Sequence, residues 1–312
     1  MGHYEALKAK IAKKQARVCI LGLGYVGLPL AVGFAAKGFK VIGYDPNKRR
    51  IEHLINGEKY ITDVDPLEAK KLIDKGMFTP VADAKVLSEC DVYIICVPTP
   101  LRHIKTPDMR YIVSASRTIK KHFKVPSLVI LESTTYPGTS REVIMPALEK
   151  GGLKAEEDFF LCFSPERVDP GNKQFPVHRI PKIVGGLSER SSSLAKMLYG
   201  HVMKTVVEVS SIETAETVKL LENTFRLVNI ALVNEFALIC NKLGISVWEV
   251  IEGAKTKPFG FMPFYPGPGL GGHCIPCDPI YLSWKARKIG FRTKMIDLAA
   301  ETNRAMPRYV VQ

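Results

Sequence analysis

Short apolar runs rich in β-branched residues alternate with longer amphipathic segments through the first part of the chain. Five runs have the length and composition of buried parallel strands: ARVCILGLG, KVIGYD, DVYIICVPTP, SLVILEST and FFLCFSPE. The segments between them place apolar residues three and four positions apart, as in GLPLAVGFAAKG and PNKRRIEHLING. Because alternating strands and helices build an open parallel sheet covered on both faces, we predict an α/β fold with a doubly wound sheet.

The periodicity changes near Ile212. Residues 212–243 keep apolar positions at steps of three and four without a proline or an internal glycine, which predicts one long helix ending at Gly244. A second helix is expected after Ser246, whose hydroxyl can cap it. Residues 255–279 are rich in glycine and proline and predict a loop, and helical patterns return after it.

These patterns divide the chain into three predicted parts. An N-terminal helix occupies residues 1–16, a sheet domain residues 17–210, and an all-helical central domain residues 211–312. The central domain contains the long helix.

Composition and charge narrow the class of protein. The 312 residues are 46% hydrophobic and 24% charged, which is typical of a soluble globular protein. The sequence contains no apolar run of ~20 residues and no signal-peptide core. We therefore expect a cytoplasmic protein that makes no membrane contact. The net charge of +13 comes from 44 basic residues interleaved with 31 acidic ones, and no aromatic-basic segment indicates a nucleic-acid partner. An anionic small ligand would still benefit from this charge.

The hexapeptide GLGYVG directly follows the first predicted strand and begins a helix. Gly22 allows a tight turn, Gly24 lets a pyrophosphate approach the backbone, and Gly27 lets helix and strand pack closely. Asp45 ends the next strand, where its carboxylate can accept hydrogen bonds from both ribose hydroxyls and repel a 2′-phosphate. The pattern predicts a Rossmann-type NAD site. Its predicted residues are Gly22, Gly24, Tyr25, Val26, Gly27, Asp45, Thr99 and Thr134.

Polar residues follow three further predicted strands, in VPTP, EST and SPER. In open α/β sheets ligands bind beyond the carboxyl ends of the strands, so Thr99 and Thr134 are expected to meet the cofactor and its substrate. Alternatively, Thr99 makes no ligand contact and is only part of a rigid loop between two prolines. Glu166 can act as a base or bind a water, and its alternative is a surface salt bridge with a neighbouring arginine.

Lys219 and Asn223 lie four residues apart on one face of the long helix. A cation and an amide on one face suit an oxygen that gains negative charge during a reaction. Taken alone, the pair is more typical of a solvated helix face, because lysine and asparagine are common on helix surfaces.

The segment PGPGLGGHCIPCDP allows three chemistries: a redox Cys-x-x-Cys pair, half of a metal site, or a nucleophilic cysteine. A redox pair usually begins a helix in a small thioredoxin-like unit, and a structural zinc site needs about four ligands. Neither context is present here, so we expect no metal. We predict that the glycines let a ligand lie against the backbone, with Cys274 as the nucleophile, Asp278 one turn beyond it, and Cys277 as a bystander.

Together these motifs resemble the UDP-glucose/GDP-mannose dehydrogenase family, whose members use NAD to oxidise a sugar's primary alcohol twice, to the carboxylate. The resemblance rests on GLGYVGLPLA, VPTP, EST, FSPER, KLLENTF and GGHCIPCDP, which follow in the family's order. SPERVDPGN and FGFMPFYPGPGLGGHCIP look most like the branch acting on UDP-N-acetylglucosamine. Neighbouring branches use UDP-N-acetylmannosamine or UDP-glucose.

The resemblance implies roles for individual residues. Cys274 would add to the aldehyde formed first, giving a thiohemiacetal that is oxidised to a thioester and hydrolysed. Lys219 would stabilise the oxyanion. Asn223 and Thr134 would hydrogen-bond the reacting oxygen or an ordered water. Asp278 and Glu166 would handle the water and the proton transfer in hydrolysis. The implied substrate-binding residues are Glu166, Arg167, Lys219, Asn223, Gly271 and Gly272. A UDP-sugar substrate, a homodimer through the central helices and a product used in capsule or lipopolysaccharide synthesis are also implied.

The chain departs from the family in three places. Pro170 beside Asp169 replaces an acidic residue of the UDP-glucose branch, which favours an N-acetylhexosamine substrate. Cys277 adds a route to oxidative inactivation, since two thiols three residues apart can pair. The chain ends at Gln312, before the UDP-binding third domain that the family carries, so we expect that domain to be absent. The alternatives are a one-step β-hydroxyacid dehydrogenase, which needs no cysteine, and a non-catalytic NAD-binding fragment that dimerises.

Overall fold

The computed structural model describes residues 2–62, 64–102, 106–167, 179–272 and 274–312. The chain divides into two compact units. The sheet unit contains residues 1–99 and 108–219, and the helical unit contains residues 100–107 and 220–312. The domain bounds predicted from the sequence stay predictions.

The sheet unit is built around one sheet, in which eight strands are found among the described residues, in the order β3-β2-β1-β4-β5-β6-β7-β8. Neighbours from β3 to β6 pair in parallel, β7 runs antiparallel to β6, and β8 is parallel to β7. The strands are β1 (Val18–Leu21), β2 (Val41–Tyr44), β3 (Phe78–Val81), β4 (Val92–Ile95), β5 (Ser127–Leu131), β6 (Phe159–Phe163), β7 (Lys182–Gly186) and β8 (Val206–Glu208).

Both faces of the sheet are covered, which explains why its central strands are continuously apolar. In β1, Val18 and Ile20 join the core on one face, and Cys19 and Leu21 join the core on the other, because successive side chains point to opposite sides. Burying each such side chain contributes about 1.5–3 kcal/mol. The rigid sheet that results places the loops at its carboxyl edge.

Helices on the two faces supply the other half of each core. Helices α1 to α4 and α7 pack on the face of Val18, and α5 and α6 pack on the face of Cys19. A 3₁₀ turn at Ala84–Glu89 and a π-helical turn at Ser140–Ile144 lie between them. The helices of this unit are α1 (His3–Ala12), α2 (Gly27–Ala36), α3 (Lys48–Asn56), α4 (Pro66–Asp74), α5 (Arg110–Lys121), α6 (Met145–Glu149) and α7 (Glu189–Gly200).

Four further helices follow: α8 (Ile212–Leu243), α9 (Val247–Lys255), α10 (Cys274–Lys288) and α11 (Lys294–Val311). In the helical unit, Leu227 and Ala231 of α8 form a small core with α11. Beside it Asn234 donates a 2.9 Å hydrogen bond to Asn303, so the polar groups buried in this contact are satisfied. None of the described helices has the combination of length and apolar character that a membrane crossing requires.

The predicted fold class, a doubly wound α/β sheet followed by helices with one long helix, is confirmed. Helix α8 begins and ends where the periodicity placed it, and the hydroxyl of Ser246 caps α9 by accepting from Glu249 N at 3.4 Å. The predicted loop at 255–279 is wrong at its end, because α10 begins at Cys274. A proline in the first turn of a helix needs no hydrogen-bond donor, so Pro276 does not prevent this start.

Candidate active site

Two of the three glycines in the loop after β1 are at positions where a side chain would clash with the backbone. Gly22 has a φ of +97°, and a side chain there would place Cβ 2.7 Å from the carbonyl oxygen of Cys96. A Cβ on Gly27, the first residue of α2, would lie 1.9 Å from the carbonyl oxygen of Gly22. No described atom lies within 4 Å of a Cβ built on Gly24, so the middle of the loop has room for a ligand. Tyr25 beside it is exposed, and Val26 packs partly on the core.

Asp45 is almost fully buried at the end of β2, where it joins the glycine loop to helix α3. Its Oδ2 accepts from Leu23 N at 3.0 Å and from the Arg50 guanidinium at 2.6 Å, and its Oδ1 accepts from Asn47 N at 3.0 Å. A carboxylate has about four acceptor positions, so these three bonds leave capacity for a ribose hydroxyl. The residues present therefore fit a bound dinucleotide.

Arg50 is a residue of this site that the sequence analysis did not identify. Its guanidinium lies on Asp45 and 5.8 Å from the centre of the Tyr60 ring, while the Tyr60 hydroxyl donates to Leu23 O at 2.8 Å. The spacing of five residues after Asp45, at the start of α3, was the only indication available in the sequence. Arg50 neutralises part of the Asp45 charge, which weakens the argument that Asp45 alone would repel a 2′-phosphate.

Five predicted residues follow successive strands along one edge of the sheet. Adjacent strands lie ~4.8 Å apart, so the ends of β2, β1, β4, β5 and β6 form a continuous row. The Ser133 hydroxyl, beside Thr134, donates to Val97 O at 2.7 Å and ties two of these ends together. The residues in this row are Asp45, Gly22, Thr99, Thr134 and Glu166.

Thr99 is buried, whereas Thr134 and Glu166 are partly exposed at the row. Glu166 Oε1 accepts from Arg167 N at 2.7 Å, and the Arg167 guanidinium donates to Pro181 O at 2.7 Å. Glu166 also forms an ion pair inside the sheet unit. Its partner is the buried ammonium group of Lys182, 3.4 Å away.

The helical unit brings three other predicted residues together. Cys274 is exposed at the first residue of α10, and Asp278 lies one turn further on the same helix and is buried. Asn223 of α8 is buried too, and its Nδ2 donates to Asp278 Oδ2 at 2.5 Å. Lys219 lies one turn before Asn223 on α8 and is 9% exposed, so the solvated-face alternative does not apply to either side chain.

The glycines before Cys274 leave it accessible. Gly271 and Gly272 are exposed, and no described atom lies within 4 Å of a Cβ built on either. Cys277 is half-buried, and burial, followed by the charges of Asp278 and Cys274, raises its pKa to about 11. Cys277 is therefore a thiol at neutral pH and a poor nucleophile. Among the described residues, no group of three or more His, Cys, Asp or Glu side chains could hold a metal ion.

Comparison with known proteins identifies the family. The NAD binding domain of the UDP-glucose/GDP-mannose dehydrogenase family matches residues 16–203, and the family's central domain matches residues 213–305. The chain belongs to this dehydrogenase family. The predicted recognition, the oxidoreductase class and the NAD cofactor are thereby confirmed, and membership replaces the β-hydroxyacid dehydrogenase alternative.

Relatives of the family cover almost all of the chain. It is 43% identical to UDP-N-acetyl-D-glucosamine 6-dehydrogenase of Pseudomonas aeruginosa, over 96% of this chain and 70% of that protein. The structure of UDP-D-ManNAc dehydrogenase from Pyrococcus horikoshii matches with a TM-score of 0.89 and 38% identity, over 95% of this chain and 70% of that one. NDP-N-acetyl-D-galactosaminuronic acid dehydrogenase from Methanosarcina mazei matches at 0.83 and 33% identity, over 100% and 70%.

The roles assigned to individual site residues stay predictions within this family. The branch argument from Asp169 and Pro170 falls on residues outside those that the structure describes, as does His273.

Proposed function

We propose that this dehydrogenase oxidises the C6 alcohol of a UDP-N-acetylhexosamine, most specifically UDP-N-acetylglucosamine, to the carboxylate in two NAD-dependent steps. The observation that carries the proposal is the exposed Cys274 at the start of α10, one turn from the buried Asp278–Asn223 pair. A single oxidation of an alcohol needs no such nucleophile. A double oxidation does.

Cys274 makes the second oxidation possible. Removal of the first hydride leaves an aldehyde, which has no alcohol group to oxidise. When the Cys274 sulfur adds to the aldehyde carbon, a C–S bond forms and the carbonyl oxygen becomes the hydroxyl of a thiohemiacetal. Loss of its C–H hydride and O–H proton gives a thioester, and water then breaks the C–S bond to release the acid. Two NAD molecules, bound one after the other, would each accept one of the two hydrides.

The position of Cys274 at the start of α10 suits a sulfur nucleophile. Unpaired backbone N–H groups and the helix dipole stabilise negative charge at a helix N-terminus, and Cys274 is the first residue of the 15-residue helix. The thiol of Cys277, three residues later, does not compete for the substrate because its raised pKa keeps it protonated.

The remaining residues act on the oxygen atoms of the substrate. Lys219 supplies the cation that stabilises the oxyanion, and Asn223, held by Asp278, presents its amide beside it. Thr134 hydrogen-bonds the reacting oxygen or a water. Asp278 and Glu166 handle the water and the proton transfer in hydrolysis, with one of the two as the base. The proposed substrate-binding residues are Glu166, Arg167, Lys219, Asn223, Gly271 and Gly272.

The proposed cofactor site is the edge of the sheet unit. The open space over Gly24 receives the pyrophosphate at the start of α2, and Asp45 accepts from the adenosine ribose. Arg50 lies on the Asp45 carboxylate and would fix its orientation. Thr99 and Thr134 follow β4 and β5, further along the row from Asp45.

The sugar is an N-acetylhexosamine because relatives named for such sugars match at 36–43% identity. The Pseudomonas relative is named for UDP-N-acetylglucosamine and the Pyrococcus structure for the N-acetylmannosamine sugar. UDP-N-acetylmannosamine is therefore the second candidate and UDP-glucose the third. The product, a uronic acid, would serve capsule or lipopolysaccharide synthesis. We place the reaction in the cytoplasm, since five buried free cysteines suit a reducing compartment.

The stoichiometry of NADH tests this proposal directly. With a limiting amount of UDP-N-acetylglucosamine and excess NAD, we expect two NADH per sugar, and a lower kcat/KM for UDP-glucose measured in parallel. One NADH per sugar would contradict the double oxidation, and a preference for UDP-glucose would contradict the branch. NAD binding without turnover of any of the three sugars would favour the non-catalytic fragment.

We further propose that the enzyme is a homodimer through α8. Leu221, Phe225, Leu232, Phe236, Ile239 and Leu243 are all exposed large apolar residues of this helix. Their spacings of three, four and seven residues form one stripe of the kind that pairs with another helix. A second copy of the chain offers an identical stripe, and the family resemblance implies such a dimer.

Sedimentation velocity tests the dimer. The wild type is expected to sediment as a dimer at micromolar concentration, and Leu232→Asp as a monomer, because a charge would be buried at the centre of the stripe. Arg117→Asp, on the exposed face of α5, is the control and should remain dimeric. A monomeric wild type, or a Leu232→Asp variant that stays dimeric, would contradict the proposal.

A further inference from the structure

A buried lysine, Lys182, contacts the carboxylate of Glu166 from the interior of the sheet unit. Lys182 is the first residue of β7 and is 4% exposed, although the strand residues that follow it are apolar. Its ammonium group lies 2.9 Å from Glu132 Oε2, 3.2 Å from Pro165 O and 3.4 Å from Glu166 Oε2. These three acceptors match the three hydrogens of an ammonium group.

Glu132 anchors this lysine from the interior. It is fully buried at the end of β5, two residues before Thr134, and its Oε1 accepts from the hydroxyl of Tyr199 on α7. Burial raises the pKa of Glu132 to about 7 despite the opposing effect of the Lys182 charge. Burial acts to lower the pKa of Lys182, but Glu132 and Glu166 outweigh it and the pKa is raised. Lys182 therefore stays a cation.

Stability alone does not account for this arrangement. Charged groups inside a protein lose several kcal/mol of hydration, and well-packed apolar residues of similar volume are often as stable or more stable. Lys182 and Glu132 nevertheless sit where the neighbouring strand residues Ile183 and Leu131 are apolar and buried. Because Lys182 is paired with Glu132, its positive charge is held in place beside Glu166. Of these two carboxylates, Glu166 is the one that reaches solvent, with 17% of its side chain exposed.

We propose that Lys182 is a positioning residue that holds the Glu166 carboxylate in one orientation at the edge of the sheet. The buried residues Glu132 and Tyr199 hold the lysine in place from the interior. Arg167 N holds Oε1 and Lys182 holds Oε2, so the carboxylate is bound at both oxygens. For its proposed part in hydrolysis, Glu166 would then meet a water in one fixed orientation. This inference rests on the proposed function for its consequence in turnover, and on geometry alone for the contact itself.

A double-mutant cycle tests whether Lys182 acts through Glu166. Lys182→Met is expected to lower kcat about a hundredfold, the usual contribution of a positioned general base. In a Glu166→Gln background the same change should lower kcat less than about threefold further, because residues that act as a unit are not additive. Lys182→Arg should retain more activity than Lys182→Met. Equal losses in both backgrounds, or an unchanged kcat in Lys182→Met, would overturn the proposal.

Two further variants separate positioning from folding. Lys182→Met leaves Glu132 buried without its cation, so Lys182→Met with Glu132→Gln serves if the single variant does not fold, and is expected to show the same loss of kcat. Lys10→Met is the matched control. Lys10 also pairs with a buried carboxylate, Asp91, at 2.8 Å, but this pair lies at the start of β4, away from the carboxyl edge of the sheet. The variant should therefore keep the kcat of the wild type and leave the effect of Glu166→Gln on kcat unchanged.

A measurement without substrate distinguishes this proposal from the proposed function. The carbon-13 resonance of the Glu166 carboxyl, assigned with Glu166→Gln, is expected to shift in Lys182→Met and not in Lys10→Met. If the wild type turns over no UDP-sugar but the resonance shifts, the proposed function fails and the contact stands. If the resonance does not shift, the positioning role is wrong whatever the activity.

Discussion

Cys274→Ala is expected to lower the rate of uronic acid formation by about 10³-fold or more while NAD affinity stays unchanged. Without the sulfur no thiohemiacetal forms, so the aldehyde cannot proceed to the thioester. The variant should therefore yield at most one NADH per sugar. Because Cys274 is exposed at the start of α10, its truncation removes little packing and should leave the thermal midpoint almost unchanged.

Cys277→Ala is the matched control for this experiment. The two cysteines lie three residues apart on one helix, but Cys277 is half-buried and its pKa is raised to about 11. We expect Cys277→Ala to retain two NADH per sugar and to remove no more than about threefold of the rate. Mass spectrometry of the wild type, quenched during turnover, should find the thioester on the peptide of Cys274. Equal losses in both variants would instead favour a paired-thiol function, and normal turnover in Cys274→Ala would exclude the covalent mechanism.

The sheet unit could be predicted from the sequence because local pattern and tertiary structure agree there. A buried strand, a glycine loop and a helix follow in order at Val18, Gly22 and Gly27, and the steric constraint on Gly27 comes from the carbonyl oxygen of Gly22, five residues away. Helix α8 was equally predictable, since its periodicity is not interrupted over 32 residues. In each case the physical cause lies within a few residues of the effect.

Strand β3 was missed and the start of helix α10 was placed too late, because local composition indicates something else there. Strand β3 has a proline in its four residues and lies at the edge of the sheet, where the missing N–H costs little. Helix α10 begins inside a segment whose prolines and glycines indicate a loop. The direction of β7, antiparallel to β6, depends on how the chain returns to the sheet and has no sequence pattern of its own.

Residues of the candidate site could be proposed from the sequence, but the contacts that support them could not. Cys274, Asp278 and Asn223 were each proposed, and only the structure pairs the last two across 55 positions. Lys182 opens an ordinary strand, KIVGG, and nothing in that string distinguishes it from a surface lysine. Its partner Glu132 is 50 positions away. Such contacts depend on which strands are neighbours, and spacing along the chain does not encode that.

Asp278→Asn is expected to lower kcat about a hundredfold with little change in the thermal midpoint or in NAD affinity, the effect of removing a charged base from hydrolysis. Asn223 donates to Asp278 Oδ2, and the amide oxygen of the new asparagine can accept the same hydrogen bond. The variant thus keeps the shape and the buried contact and loses only the negative charge. Thioester should accumulate on Cys274, since the two hydride transfers precede the step that is slowed.

Asp297→Asn controls for the loss of a carboxylate in the same unit. Asp297 accepts from Ser283 at 2.8 Å and from Arg287 at 3.0 Å, and the variant should keep kcat within about twofold of the wild type. Single-turnover measurements of NADH, followed by acid quenching and mass spectrometry, compare the two variants. If Asp278→Asn lowers the rate of NADH formation and leaves no thioester, Asp278 supports an earlier step. If its kcat is unchanged while Glu166→Gln accumulates thioester, the proton of the water is taken by Glu166, and Asp278 serves only to hold Asn223.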